Sequence, residues 1–134
     1  MYAHILGLLL VLTLGWHQAT AQTNRGSQTP ARFTNVDEAF DPLKYPAKAI
    51  VKGIEGTVKA EVSISEAGEY LTHNIVSTPD EILSLQVEKC LPSLTCEPAM
   101  EGDTAVESVK VLEVHFRIIK KFPAKTEVTF TFEG

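Results

Sequence analysis

The apolar positions change period several times along the chain, and each change marks an element. From Thr57 to Ile64, Val58, Ala60, Val62 and Ile64 alternate with Thr57, Lys59, Glu61 and Ser63. That is the period of a strand with one wet face. Ahead of it, Tyr45 to Gly53 reads as a short helix. Pro46 suits a first helical position, where its missing N–H has no partner to lose, and Gly53 can end the helix in a left-handed conformation. After the strand, Ser65-Glu66-Ala67-Gly68-Glu69 is a polar turn, and Tyr70 to Val76 returns as a second strand of a hairpin. The buried face of this second strand stays open. Leu71, His73 and Ile75 share one parity, Tyr70, Thr72, Asn74 and Val76 the other, and both sets mix apolar with polar residues.

The period then lengthens. Thr78-Pro79-Asp80-Glu81 carries the signature of a helix start, with Thr78 as cap, Pro79 at the first helical position and Glu81 closing a capping box. Leu83, Val87, Cys90 and Leu91 make one stripe with Ile82 and Leu85 beside it, and Pro92 stops the helix. Cys96 to Ala99 is an extended exit, followed by turn residues Gly102 and Asp103. A long strand follows, from about Ala105 to Ile118. Its apolar residues switch parity, from Val109 and Val111 to Leu112, Val114, Phe116 and Ile118. A bulge near Val111 and Leu112, or a strand covered on both faces, would explain the switch; the bulge is preferred. A final strand, Glu127 to Glu133, alternates Val128, Phe130 and Phe132 with Thr129 and Thr131, after a loop containing lysines and Pro123. Phe33 to Tyr45, with Phe33, Val36, Phe40, Leu43 and Tyr45 among acids and Pro42, reads as an extended lead-in whose aromatics lie against the domain edge. Gln22 to Arg32 is polar and reads as a frayed tail.

The first 21 residues stand apart. Ile5 to Trp16 is a Leu-rich apolar run, shorter than the roughly 20 residues that span a bilayer, and Ala19-Thr20-Ala21 offers small residues for signal-peptide cleavage between Ala21 and Gln22. The start, Met1-Tyr2-Ala3-His4, carries no Lys or Arg, so an uncleaved interfacial anchor is the alternative. The expected organisation is a signal peptide over 1–21, a flexible tail and lead-in over 22–42, and one domain over 43–134. Export places that domain in an oxidising compartment beyond the cytoplasm, with no stable membrane insertion after cleavage. All charged residues lie beyond residue 21, so the exported chain keeps the net charge of −5. That acidity argues against a nucleic-acid surface, which needs a basic face. The one local cationic group, Lys120, Lys121 and Lys125, sits among apolar residues.

Candidate chemistry is sparse. Cys90 and Cys96 are the only cysteines; in an oxidising compartment an even pair across a chain reversal suits a disulfide. Two separately buried thiols are the other reading. The spacing is not C-x-x-C, which argues against redox catalysis. His73 and His115, both on expected strands, would need further metal ligands, and only Glu113 is near by parity; a solvated sheet face is the ordinary reading, as it is for Glu61. No nucleophile elbow, phosphate loop, zinc helix or nucleotide fingerprint appears. No enzyme activity, metal or cofactor is therefore expected.

Taken in order, the motifs resemble the C-terminal domain of TonB-family proteins. Tyr45-Pro46, Ala49 and Gly53-Ile54-Glu55-Gly56 resemble the family's opening motif before its first strand; Gly68 resembles its hairpin glycine. Leu91-Pro92, Pro98-Ala99 and Gly102 resemble the helix exit and the approach to its third strand. The likeness runs from about Leu43 to Ile118. It implies an α+β fold: a small antiparallel sheet of three to four strands with two helices packed on one face. In energy-transducing members the sheet edge binds an extended segment of outer-membrane receptors. Such transducers also need a membrane helix and a long spacer, which this sequence lacks. The resemblance thus implies a non-enzymatic module in the periplasm, with secretion as the alternative, that binds an envelope-protein peptide, such as a receptor segment, by β-strand addition. The candidate edge is Val128, Thr129, Phe130, Thr131 and Phe132. These residues could instead pair between two copies in a homodimer, or complete the core.

Overall fold

A computed structural model describes residues 27–133. The expected signal peptide, its Ala21–Gln22 cleavage site and the first residues of the tail lie outside the described residues. In chain order the elements are β1 (Gln28–Thr29), β2 (Arg32–Phe33), α1 (Val36–Phe40), α2 (Ala47–Lys52), β3 (Gly56–Ile64), β4 (Tyr70–Ser77), α3 (Glu81–Cys90), β5 (Cys96–Glu97), β6 (Ala99–Glu101), β7 (Thr104–Val106), β8 (Ser108–Lys121) and β9 (Ala124–Glu133). A 3-10 turn, Leu91–Ser93, follows α3. The main sheet is antiparallel with strand order β4-β3-β8-β9. Two small sheets, β1-β6-β7 and β2-β5, stand beside it.

The core collects one parity of each long strand. Val58, Ala60, Val62 and Ile64 of β3 are fully buried, as are Leu112 and Val114 of β8. Leu83 and Val87 of α3, with Leu91 and Leu94 beyond it, join the same cluster. Nine buried aliphatic side chains of this size contribute roughly 1.5–3 kcal/mol each, enough to hold a thin sheet-and-helix layer together.

Several details differ from the sequence reading, each for a local reason. The cap of α3 is Asp80, whose Oδ1 accepts the Ile82 N–H at 2.9 Å. Thr78 does not cap, because its hydroxyl donates to the Asp80 carbonyl at 2.7 Å. Pro46 is likewise the cap of α2 rather than its first helical residue, while Gly53 does end that helix, at φ 69°. The parity switch in the long strand is not a bulge at Val111 and Leu112, since β3 and β8 stay in register from Gly56↔Phe116 to Ile64↔Ser108. Instead Lys110 takes the inward position, 7% exposed and with its ammonium 5.6 Å from the Phe33 ring centre, and Val109 is turned out. The register shift lies later, between Ile118 and Lys120.

The lead-in and tail are also more ordered than their composition suggests. Gln28–Thr29 pairs with Met100 and Glu101, and Arg32–Phe33 with Cys96 and Glu97. Asn35 then ties the lead-in to the exit of α3, donating from Nδ2 to the Ser93 carbonyl and accepting the Thr95 N–H, both at 2.8 Å. These long-range partners satisfy a backbone that local patterning leaves without any.

Candidate interaction edge

Strand β9 owes its place to its alternation. Val128, Phe130 and Phe132 stand opposite Phe116, Val114 and Leu112 of β8, on the core side. Two of them meet aromatics of the lead-in: Phe130 lies 4.8 Å from Phe40 and Phe132 lies 5.2 Å from Phe33, centre to centre and tilted. Such pairs add about 0.5–1.5 kcal/mol beyond area burial. The side chains are therefore partly spent on completing the core.

The backbone is a different matter. Ile118 N–H donates to Glu55 Oε2 at 2.9 Å, and Glu55 directly precedes β3. So the Ile118 backbone turns toward β3, and by alternation so do those of Phe116, Val114 and Leu112. Their β9 partners, Thr126, Val128, Phe130 and Phe132, then present N–H and C=O groups to the outer rim. Among the described residues no strand pairs with that rim.

The opposite face of this half of the sheet is stitched by hydroxyls. Thr57 Oγ1 and Thr131 Oγ1 lie 2.8 Å from the two ring nitrogens of His115, linking β3, β8 and β9, with Glu113 Oε2 at 3.9 Å. His73 is elsewhere. It stands opposite the buried Val62, beside Tyr70 and 3.4 Å from Glu88 of α3. The two histidines therefore occupy opposite faces of the sheet and cannot share a ligand. Glu61 is exposed on the His115 face.

The sheet's other edge, β4, is met at its start. Cys96 N–H donates to the Gly68 carbonyl at 2.8 Å, and Glu69 pairs with Thr95. Gly68 has φ 80°, and a Cβ there would overlap the Cys96 carbonyl oxygen. No other residue fits this approach at low cost.

Cys90 and Cys96 are free thiols, which corrects the expected disulfide. The Cys90 thiol donates along its own helix to the Gln86 carbonyl at 3.5 Å, and Cys96 sits opposite Phe33 in β5. Burial pushes both thiols up, Cys96 to about 11 despite the nearby Lys110. Both act as small core hydrophobes.

The remaining motif residues are packing points. The Tyr45 hydroxyl donates to the Ile54 carbonyl and its ring meets Phe116 edge-on at 5.4 Å; burial, then Glu55, raises its pKa. Ala49 is fully buried under α2. Gly56 opens β3, and Pro98 flanks Gly68. The motif thus builds the hairpin and its supports, and the candidate edge lies apart from it. Sequence reasoning missed the buried Lys110 and the Asp80 cap. An Asp beside Pro79 was a usable signal for the cap; Lys110 left no signal.

No curated protein matches the chain. Residues 41–118 match the family described as the Gram-negative bacterial TonB protein C-terminal, a span of more than half the sequence that reaches from the lead-in to near the end of β8 and stops short of β9. With that match and a small antiparallel sheet accompanied by helices, the chain belongs to the TonB C-terminal-domain family.

Proposed function

We propose that the protein is a periplasmic interaction module that binds an extended peptide of another envelope protein, such as a segment of an outer-membrane receptor, by strand addition along β9. Domains of this family are protein-interaction modules of the Gram-negative envelope. The observation that carries the reading is the rim of β9: a ten-residue strand, outermost in its sheet, with outward backbone groups at Thr126, Val128, Phe130 and Phe132. An extended peptide satisfies such groups with main-chain hydrogen bonds, which supply affinity largely independent of sequence. Alternate side chains of the peptide would lie over Phe132 on one face and Thr129 and Thr131 on the other. No step of this reading needs a cofactor or metal, and among the described residues no cluster of metal-binding side chains occurs.

The test is an NMR titration of the exported chain with extended peptides from the receptor segments of its own host. Saturable shifts should run along Thr126 to Phe132, and slowed amide exchange should appear at 126, 128, 130 and 132 while 127, 129 and 131 stay protected throughout. Shifts that depend on protein concentration without peptide, with a dimer in sedimentation, would assign the same rim to a second copy. A well-dispersed spectrum with no shifts at millimolar peptide would reject strand addition.

A further inference from the structure

We propose a second surface: the tip of the β8–β9 hairpin is a peripheral docking point for an anionic lipid surface. The two strands are joined by the two residues Phe122 and Pro123, with Lys121 paired to Ala124. Phe122 is 91% exposed and Ile119, released by the register shift, is 43% exposed. An isolated exposed leucine means little, but a phenylalanine held clear of its own fold at the end of a rigid hairpin has no packing role within the chain.

Around it stand Lys120, Lys121 and Lys125, all exposed, and Ile118 to Thr126 contains no acid. This occurs in a chain of net charge −5. No ion pair or hydrogen bond is made by these three ammonium groups among the described residues. Lys121 lies over the end of α2, where a Cβ on Gly53 would come within 3.2 Å of its Nζ. Arg117 faces Glu127 across the strands, and Lys48 and Lys52 line a groove with Asp80 and Glu81, so acids stand near these cations.

An apolar point ringed by lysines is the arrangement that seats a protein at a headgroup layer, the ring entering the acyl boundary and the ammonium groups meeting phosphates. An acidic peptide is the poorer occupant. Phe122 projects rather than lining a groove, so it offers a peptide little to bury against, whereas a bilayer closes around a convex tip.

The experiment uses the exported chain carrying Phe122→Trp, with Trp16, the one native tryptophan, giving the wild-type background if the leader is retained. With vesicles of phosphatidylglycerol and phosphatidylethanolamine, the new indole should shift to the blue and be quenched by brominated acyl chains; with phosphatidylcholine vesicles neither should occur. Each lysine at an anionic surface contributes about fivefold in affinity, so Lys120→Gln with Lys125→Gln should weaken binding about thirtyfold, as should raised salt. These positions are exposed, so the variants keep the fold. An indole blind to anionic vesicles, or equal vesicle binding by the lysine variant, would overturn the proposal. Saturable shifts of the tip amides by polyglutamate with none by vesicles would overturn it in favour of an acidic protein partner.

Discussion

The two edges of the main sheet are built to opposite ends. Strand β4 shows exposed apolar side chains, Leu71 and Val76, yet its pairing with β3 is interrupted twice, between Lys59 and Ala60 and between Ser63 and Ile64. Its start is occupied by Thr95 and Cys96. Irregularity and a covering segment are common ways to blunt an edge. Strand β9 has neither over most of its length: its register with β8 is unbroken from Val111↔Glu133 to Ile118↔Thr126. Exposed apolar side chains alone do not separate the two edges, since Phe132 of β9 is exposed as well. What decides availability is what the rest of the chain lays alongside each strand and how regular the backbone remains.

The sharpest way to break this contrast is at the closed edge. Gly68→Ala puts a Cβ on the Cys96 carbonyl at a positive φ, and should cost roughly 3 kcal/mol or more. Chemical denaturation measures the loss, and amide exchange at Cys96 and Tyr70 should rise first. At the open edge two prolines should separate inward from outward groups. Thr129→Pro removes an N–H bonded to β8 and should cost roughly 2–3 kcal/mol. Val128→Pro removes an outward N–H and should cost only about 1 kcal/mol, yet abolish peptide protection at the rim. Equal costs would refute the assignment of the backbone directions. Phe130→Ala loses the contact with Phe40 and should cost about 2 kcal/mol, as expected of a half-buried ring, loosening β9 in exchange measurements while β4 stays unchanged.

The last contrast is a pH dependence centred on the closed edge. Burial raises Cys96 to about 11, against an ordinary thiol value of 9.0. The unfolded chain then releases this proton first as pH rises. The thiol's contribution is whole below about pH 9 and is lost progressively as pH climbs toward 11. Thermal melts should show that decline, and Cys96→Ala should reduce it, with the remainder carried by Cys90 and Tyr45, which burial also raises. Exchange near Gly68 should follow the same curve, since β5 is the segment that meets β4.

The sequence already disclosed whatever rests on local period. The alternation in β3, the stripe on α3 and the glycine turn at Gly68 all stand in the structure. The candidate rim was legible as alternating Val128, Phe130 and Phe132, though not the division between side chains turned to the core and backbone turned out. That division depends on pairing with β8 and on the Glu55 contact, both distant in sequence. The lead-in was misread for a similar reason: Asn35 bonds to Ser93 and Thr95, which no local pattern announces. The disulfide reading inferred proximity from a sequence gap of six. The helix instead directs Cys90 inward along its own axis, and the strand sets Cys96 against Phe33.

Strand β9 also changes the terms of competition for its neighbour. It begins beyond the residues that match the family and lies along β8, the strand at which the matched span ends. Joined to β8 through only Phe122 and Pro123, it acts as a ligand tethered to its own receptor. A short tether gives an effective concentration of millimolar or more, before the aromatic contacts with Phe33 and Phe40 are counted. A free peptide seeking β8 must outcompete that standing occupant, whereas one that accepts β9 as its neighbour faces no rival.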